Sequence, residues 1–203
     1  MRESIKLGLI LMLIAGCAAG ALAVVNYYTE PLIQKQQQKQ QEDATQKSLL
    51  EVLPENSGGA FVLSNELKEL APAEIRSLFG DVYVAKSSTD GEVTGLAVNV
   101  MSKGYASTIM LLVGMNTNGT LTGVRVISQG ETPSIGSKIT EPKFYAQKAF
   151  DGSSVANELK ITKDGGNVDT ISGATISSRA VVRGINAAFE LYRSVATGLG
   201  MTY

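Results

Sequence analysis

The stretch Asp169–Ser178, DTISGATISS, concentrates groups that can accept or hold a phosphate. Ser172-Gly173-Ala174 is small enough for another molecule to come close to the backbone. Thr175, Ser177 and Ser178 crowd hydroxyls at what reads as a helix start, where one would be enough for a cap. Helical spacing of Val181, Ile185, Ala188, Tyr192 and Val195 predicts a last helix from about 178 to 195, with Ser177 or Ser178 as its N-cap. A helix N-terminus offers unpaired N–H groups and the positive end of a dipole. A hydroxyl just ahead of it, Thr175, can hydrogen-bond a phosphate or be esterified by one. The competing reading is structural, with SGAT a tight turn and TISS a redundant cap. The residue types alone leave both open.

Composition removes other chemistries. The chain has 203 residues, no histidine and a single cysteine, Cys17. Ser-His-Asp and Cys-His nucleophiles, His-ligated metals, thiolate zinc sites and cysteine-held clusters are therefore excluded. Net charge is −1 and no Lys/Arg run is interleaved with aromatics, so nucleic acid is not an expected partner. No G-x-G-x-x-G stands ready for a nicotinamide cofactor. Any redox work then depends on a bound organic cofactor, and the missing nicotinamide motif argues against an independent reductase.

The elements that must position these residues begin with Leu7–Val25, LGLILMLIAGCAAGALAVV, an uncharged run. At about 1.5 Å per residue it reaches roughly 28 Å, the thickness of a hydrocarbon core. Residues 1–6 are expected in the cytoplasm, because Arg2 and Lys6 precede the run; everything after it is expected outside. Ile14-Ala15-Gly16-Cys17 has the look of a lipobox, but apolar residues continue past Cys17, so the segment reads as a retained membrane helix in contact with lipid. Gly16 and Gly20 form G-x-x-x-G, a weak sign of a membrane partner. Residues 26–58 read as a helical stalk. Thr29-Glu30-Pro31 is its expected start, a polar Gln/Lys-rich stretch its body, and Pro54 with NSGG its end.

Residues 59–203 mix helix and strand signals. Short helices are expected at 72–79 and over TEPKFYAQKAF, capped by Thr140. Strands are expected at 82–86 and 94–100, and in two runs that flank the hairpin signal Asn118-Gly119. The fold class is α+β: a single membrane helix, a stalk, and an antiparallel sheet flanked by helices.

Asp169-Thr170-Ile171-Ser172-Gly173-Ala174-Thr175 resembles the D-x-x-[ST]-G-A-T pattern at which a flavin transferase attaches FMN. The whole chain resembles the G subunit of the Rnf electron transport complex. The C subunit of the sodium-translocating NADH:quinone reductase shares the domain and is the alternative within the flavoprotein class. A flavin-free, membrane-anchored scaffold is the alternative outside it. The resemblance implies FMN held by a phosphoester on Thr175, contacts from Ser172, Gly173 and Ala174, and recognition of Asp169 by the transferase. It further implies membrane and redox partner subunits, and coupling of ferredoxin–NAD electron transfer to sodium or proton movement. A second match is QGETPSIGSK, Gln129–Lys138, near the family's H-x-E-T-P-G-L-G. Glu131, Thr132, Pro133 and Gly136 fit, and Glu131 and Thr132 are implied to lie beside the flavin. Gln129 replaces the usual His and cannot become charged; Ser134 replaces a Gly. Gly104-Tyr105 also fits the family.

Overall fold

The computed structural model describes residues 2–53, 60–87 and 91–201. The expected stalk terminator at 54–59, with the boundary at residue 59, and the side chain of Arg2 lie outside the described residues. The chain divides into two compact units, Met1–Asp43 and Ala44–Tyr203.

Helix α1 runs from Arg2 to Val52. Within the first unit it contains the apolar stretch Gly8–Ile33, which is long enough to cross a membrane and is exposed along its length. Thr29-Glu30-Pro31 does not start a new helix, contrary to expectation. The Thr29 hydroxyl donates back to the Val25 carbonyl, as a threonine inside a helix does. Pro31 forgoes one intrahelical bond, and the good helix formers after it carry the helix onward.

The second unit is built on a five-stranded antiparallel meander, β1-β2-β3-β4-β5. Its strands are β1 (Ala60–Leu63), β2 (Phe79–Lys86), β3 (Val93–Lys103), β4 (Thr108–Asn116) and β5 (Leu121–Ser128). The longest pairing joins β3 and β4, from Gly95 opposite Asn116 to Lys103 opposite Thr108. Asn118-Gly119 does turn the β4–β5 hairpin: Gly119 is left-handed at φ +69°, and the Asn116 side chain accepts from the Asn118 and Thr120 amides. The short edge strand β1 carries no alternation long enough to be read from sequence.

Both faces of the sheet are covered, which is why β3 and β4 read as nearly continuous apolar runs. On one face lies helix α4 (Thr175–Val195), burying Val181, Ile185, Ala188, Tyr192 and Val195 against Val98, Val100, Leu111 and Val113. Tyr192 donates its hydroxyl to the Thr117 carbonyl (2.7 Å), and Arg183 bonds the Lys103 carbonyl (2.7 Å), fixing the helix along the strands. On the other face the last turns of α1 place Leu49, Val52 and Leu53 on Ala85, Ala97 and Leu112. Thr122 donates to the Val52 carbonyl, and Arg125 pairs with Glu51 at 2.7 Å. That exposed pair contributes at most about 1 kcal/mol, so the apolar contact carries the docking.

Two short helices complete the unit, α2 (Ala73–Arg76) and α3 (Pro142–Tyr145). The helix expected over TEPKFYAQKAF is thus only one turn long, and Glu141, not Thr140, stands at its N-cap. The Thr140 hydroxyl bonds the Ser137 carbonyl instead. Just beyond it, the Gln147 side chain bridges the backbone of Asp169, accepting from its N–H (2.6 Å) and donating to its carbonyl (3.0 Å).

The α1 contact generates the first prediction. Leu49 is fully buried. Leu49→Ala should lower stability by about 2–5 kcal/mol, the usual cost of truncating a buried leucine. Denaturant unfolding of the detergent-solubilised chain measures it; a loss below about 0.5 kcal/mol would show that this end of α1 is not part of the folded unit.

Candidate functional site

The attachment-like motif folds as a turn that feeds directly into α4. The Ala174 N–H bonds the Ile171 carbonyl at 2.9 Å, and Gly173, at φ +77°, supplies the left-handed conformation that a side chain would resist. Helix α4 begins at Thr175, three residues earlier than the sequence suggests, with Ala174 at the N-cap and no side-chain cap. Neither Ser177 nor Ser178 caps it. Helical spacing turns both inward: Ser178 is fully buried, donates to the Ala174 carbonyl (3.0 Å) and accepts from the Ile171 N–H (3.1 Å). Ser178 thereby staples the turn to the helix that follows it.

Ser177 serves a different partner. Its buried hydroxyl donates to the Glu131 carboxylate. The same carboxylate accepts the backbone N–H groups of Tyr105 (3.1 Å), Ala106 (3.0 Å) and Ser107 (3.0 Å), which form the turn between β3 and β4. Gly104 makes room for it, because a Cβ there would lie 2.5 Å from Glu131 Oε1. Burial pushes the Glu131 carboxyl up, but the bonds from Ser177 and from the Ser107, Tyr105 and Ala106 amides outweigh it. They hold the group below its ordinary value of 4.5. Both carboxylate oxygens are thus spent on protein donors.

Around this clamp opens a cleft of about 620 Å³, within the range of small-molecule sites. Glu131, Thr132, Gly173, Ala174 and Thr175 all line it, together with Tyr105, Ile135, Ile176 and Lys163. Thr175 differs from its neighbouring serines: it is half-buried, and its hydroxyl faces the cleft, where Lys163 Nζ donates to it at 2.8 Å. Tyr105, Ile135 and Ile176 are exposed apolar surface on the walls. Ser172 is exposed and falls outside the residues that line the cleft. Asp169 is also exposed and lines a second, smaller hollow with Lys138, Lys143 and Gln147.

Both departures in the 129–138 loop have a place. The Gln129 side chain accepts from the Glu131 N–H at 2.6 Å, a local turn that needs no charge. Ser134 adopts φ +62°, the left-handed conformation that its position requires, and donates its N–H to the Ser137 hydroxyl. Sequence reasoning missed Lys163, Ile135 and Ile176. Nothing in the local sequence around Lys163 distinguishes it from a solvated lysine. Among the described residues no His/Cys/Asp/Glu group is arranged to hold a metal.

The clamp makes an acid-dependent prediction. A carboxyl whose folded value is depressed stabilises the protein above its unfolded value, and that stability is lost as pH falls through the folded value. Wild-type stability should therefore decline below about pH 4.5, and Glu131→Gln should flatten that decline while costing about 2 kcal/mol at neutral pH. Urea unfolding at several pH values measures both. An unchanged pH profile in Glu131→Gln would remove the carboxylate from this role.

Comparison with known proteins agrees with this geometry. An FMN-binding domain model matches residues 104–190, and a model of the RnfG N-terminal region matches residues 1–48. The G subunit of the Na(+)-translocating ferredoxin:NAD(+) oxidoreductase complex of Acetobacterium woodii is 33% identical over 94% of this chain and 92% of that protein. The G subunit of an ion-translocating oxidoreductase complex of Pseudomonas aeruginosa is 32% identical, over 94% and 89%. The fold is shared with the crystal structure of the C subunit of Na(+)-translocating NADH-quinone reductase from Parabacteroides distasonis, at TM-score 0.55 and 22% identity over 79% of this chain and 95% of that one. With its FMN-binding domain and N-terminal apolar helix, the chain belongs to the family of G subunits of ion-translocating oxidoreductase complexes.

Proposed function

We propose that this protein carries FMN covalently, as a phosphoester on Thr175, and relays electrons between neighbouring redox subunits of a membrane complex that couples ferredoxin:NAD+ electron transfer to sodium or proton movement. The observation that carries the reading is the separation of the three hydroxyls at the start of α4. Ser177 and Ser178 are buried and committed to Glu131 and to the turn, while Thr175 presents its oxygen to a cleft.

The residues present fit the group. A flavin phosphate needs donors and positive charge; the α4 N-terminus and Lys163 bring both to Thr175. A flavin ring needs apolar walls, and Tyr105, Ile135 and Ile176 offer them. When bound, FMN supplies the one- and two-electron chemistry that the chain's own residues lack. The protein's part is to hold and orient it. Thr132 is exposed on the cleft wall and is available to the flavin. Glu131 acts one step removed: it fixes Tyr105 and the first turn of α4, and so shapes the cleft. Asp169 stands exposed with its backbone braced by Gln147, accessible to a flavin transferase. The cleft beside Thr175 supports the flavin reading over a flavin-free scaffold with a redundant cap.

The membrane segment is assigned to residues 7–25, the stalk to 26–58 and the FMN-binding domain to 59–203, with the domain on the extracytoplasmic side. A covalent tether keeps the ring at high local concentration even where its contacts are open to solvent.

Two measurements test this. Thr175→Val preserves the β-branched shape and removes the oxygen. The purified variant should unfold like the wild type but lack the mass of one FMN less one water, and flavin retained on it after denaturation would refute the assignment. For orientation, protease added to intact protoplasts should digest the domain, whereas full protection would place it in the cytoplasm.

A further inference from the structure

The segment before the attachment motif is built as a pedestal. Ile161 and Val168 are buried and pair in parallel, closed by Thr162 N–H to the Val168 carbonyl (2.9 Å) and Val168 N–H to the Lys160 carbonyl (3.1 Å). Between them a single 3-10 turn, Thr162–Asp164, ends at a left-handed Gly165. Two consecutive residues of this turn reach α4. Asp164 makes a two-pronged ion pair with Arg179, at 2.7 and 2.8 Å. Lys163 donates to Thr175 Oγ at 2.8 Å. Positions 175 and 179 are four apart, one turn along the same helix face. The ion pair therefore sets the register in which the lysine meets the threonine. An isolated exposed ion pair contributes little stability, so its consequence here is placement.

We propose that Lys163 takes part in flavin attachment: its ammonium holds and polarises the Thr175 hydroxyl before the ester forms, and becomes the counter-charge of the phosphodiester afterwards. The inference rests on Thr175 being the attachment residue. Attachment requires an FMN donor activated as a phosphoanhydride. Thr175 Oγ attacks the FMN phosphorus; the Oγ–P bond forms as the anhydride P–O bond breaks. The departing phosphate monoester takes the bonding electron pair, and the threonine proton passes to a base of the transferase. No electron enters or leaves the flavin. Lysine has donors and no acceptor, so Lys163 is not that base. Its contribution is electrostatic: a charge-assisted bond stabilises the oxygen as it loses its proton, and the same charge sits beside the phosphoryl oxygens of the product.

The test follows attachment by intact mass, with purified full-length apoprotein in detergent, purified flavin transferase and the phosphoanhydride flavin donor. Lys163→Gln should lower kcat by about 10-fold or more, with KM for the acceptor protein unchanged, the size expected for losing a charged hydrogen bond. Lys163→Arg should restore most of the rate, and Asp164→Asn should give a smaller fall in kcat by loosening the register. Thermal melting of all three apoproteins should match the wild type. A wild-type kcat in Lys163→Gln, beside a Thr175→Val control that gains no mass, overturns this role and leaves the attachment site standing. A loss confined to KM also overturns it, since Lys163 would then serve transferase docking. Mass gain in the Thr175→Val control instead overturns the attachment assignment itself.

Discussion

One buried carboxylate ties together the parts of this protein that matter for its cofactor. Glu131 receives three backbone N–H groups from the β3–β4 turn and one hydroxyl from the first turn of α4. A buried charge with unmet acceptors is costly, whereas one that meets four donors is rigid. The constraint is mutual: the turn cannot move without stranding the carboxylate, and α4 cannot rotate without withdrawing Ser177. Three segments far apart in sequence are thereby held around one cleft.

The sheet provides the frame for that clamp. Because the α1 end covers one face and α4 the other, β3 and β4 are locked from both sides, and their connecting turn projects from a stiff base. The cleft lies at the rim where this turn, the 129–138 loop, the 161–168 pedestal and the start of α4 meet. Regular structure supplies stiffness there, and loops supply the chemical groups. The start of α4 is left without a side-chain cap. Its unpaired N–H groups remain available, which a phosphate can use and a capping serine would have consumed.

An open cleft divides the labour between a fold that holds a cofactor and a cofactor that carries the electrons. The walls are partly exposed, and neither Glu131 oxygen is left over for proton transfer. A group in such a cleft stays partly open to solvent, beside the exposed Tyr105, Ile135 and Ile176. The membership of the chain in a family of membrane-complex subunits is consistent with that division of labour.

Much of this was legible in the sequence because the signals are local. The apolar run, the Asn118-Gly119 hairpin, the helical stripe Val181–Val195 and the SGAT turn each depend on neighbours within a few residues, where propensity and periodicity act. Thr175 was singled out by a short motif, and the fold places it on the cleft wall. The failures at the site share one cause. Ser177 and Ser178 look like caps by type, but type does not reveal which way a first-turn side chain points. Only the packing of α4 on the sheet turned them inward and left Thr175 outward. Glu131 was legible from its motif, but the three amides that meet its carboxylate come from residues more than twenty positions away. Lys163 carries no local signal; the Asp164–Arg179 pair and the buried ends of its loop place it on Thr175. Sequence by itself determined which groups are present and which elements form, because those follow from short-range energetics. The tertiary structure decided which hydroxyl faces the cleft and which charge meets it, because those depend on long-range contacts that no window of sequence contains.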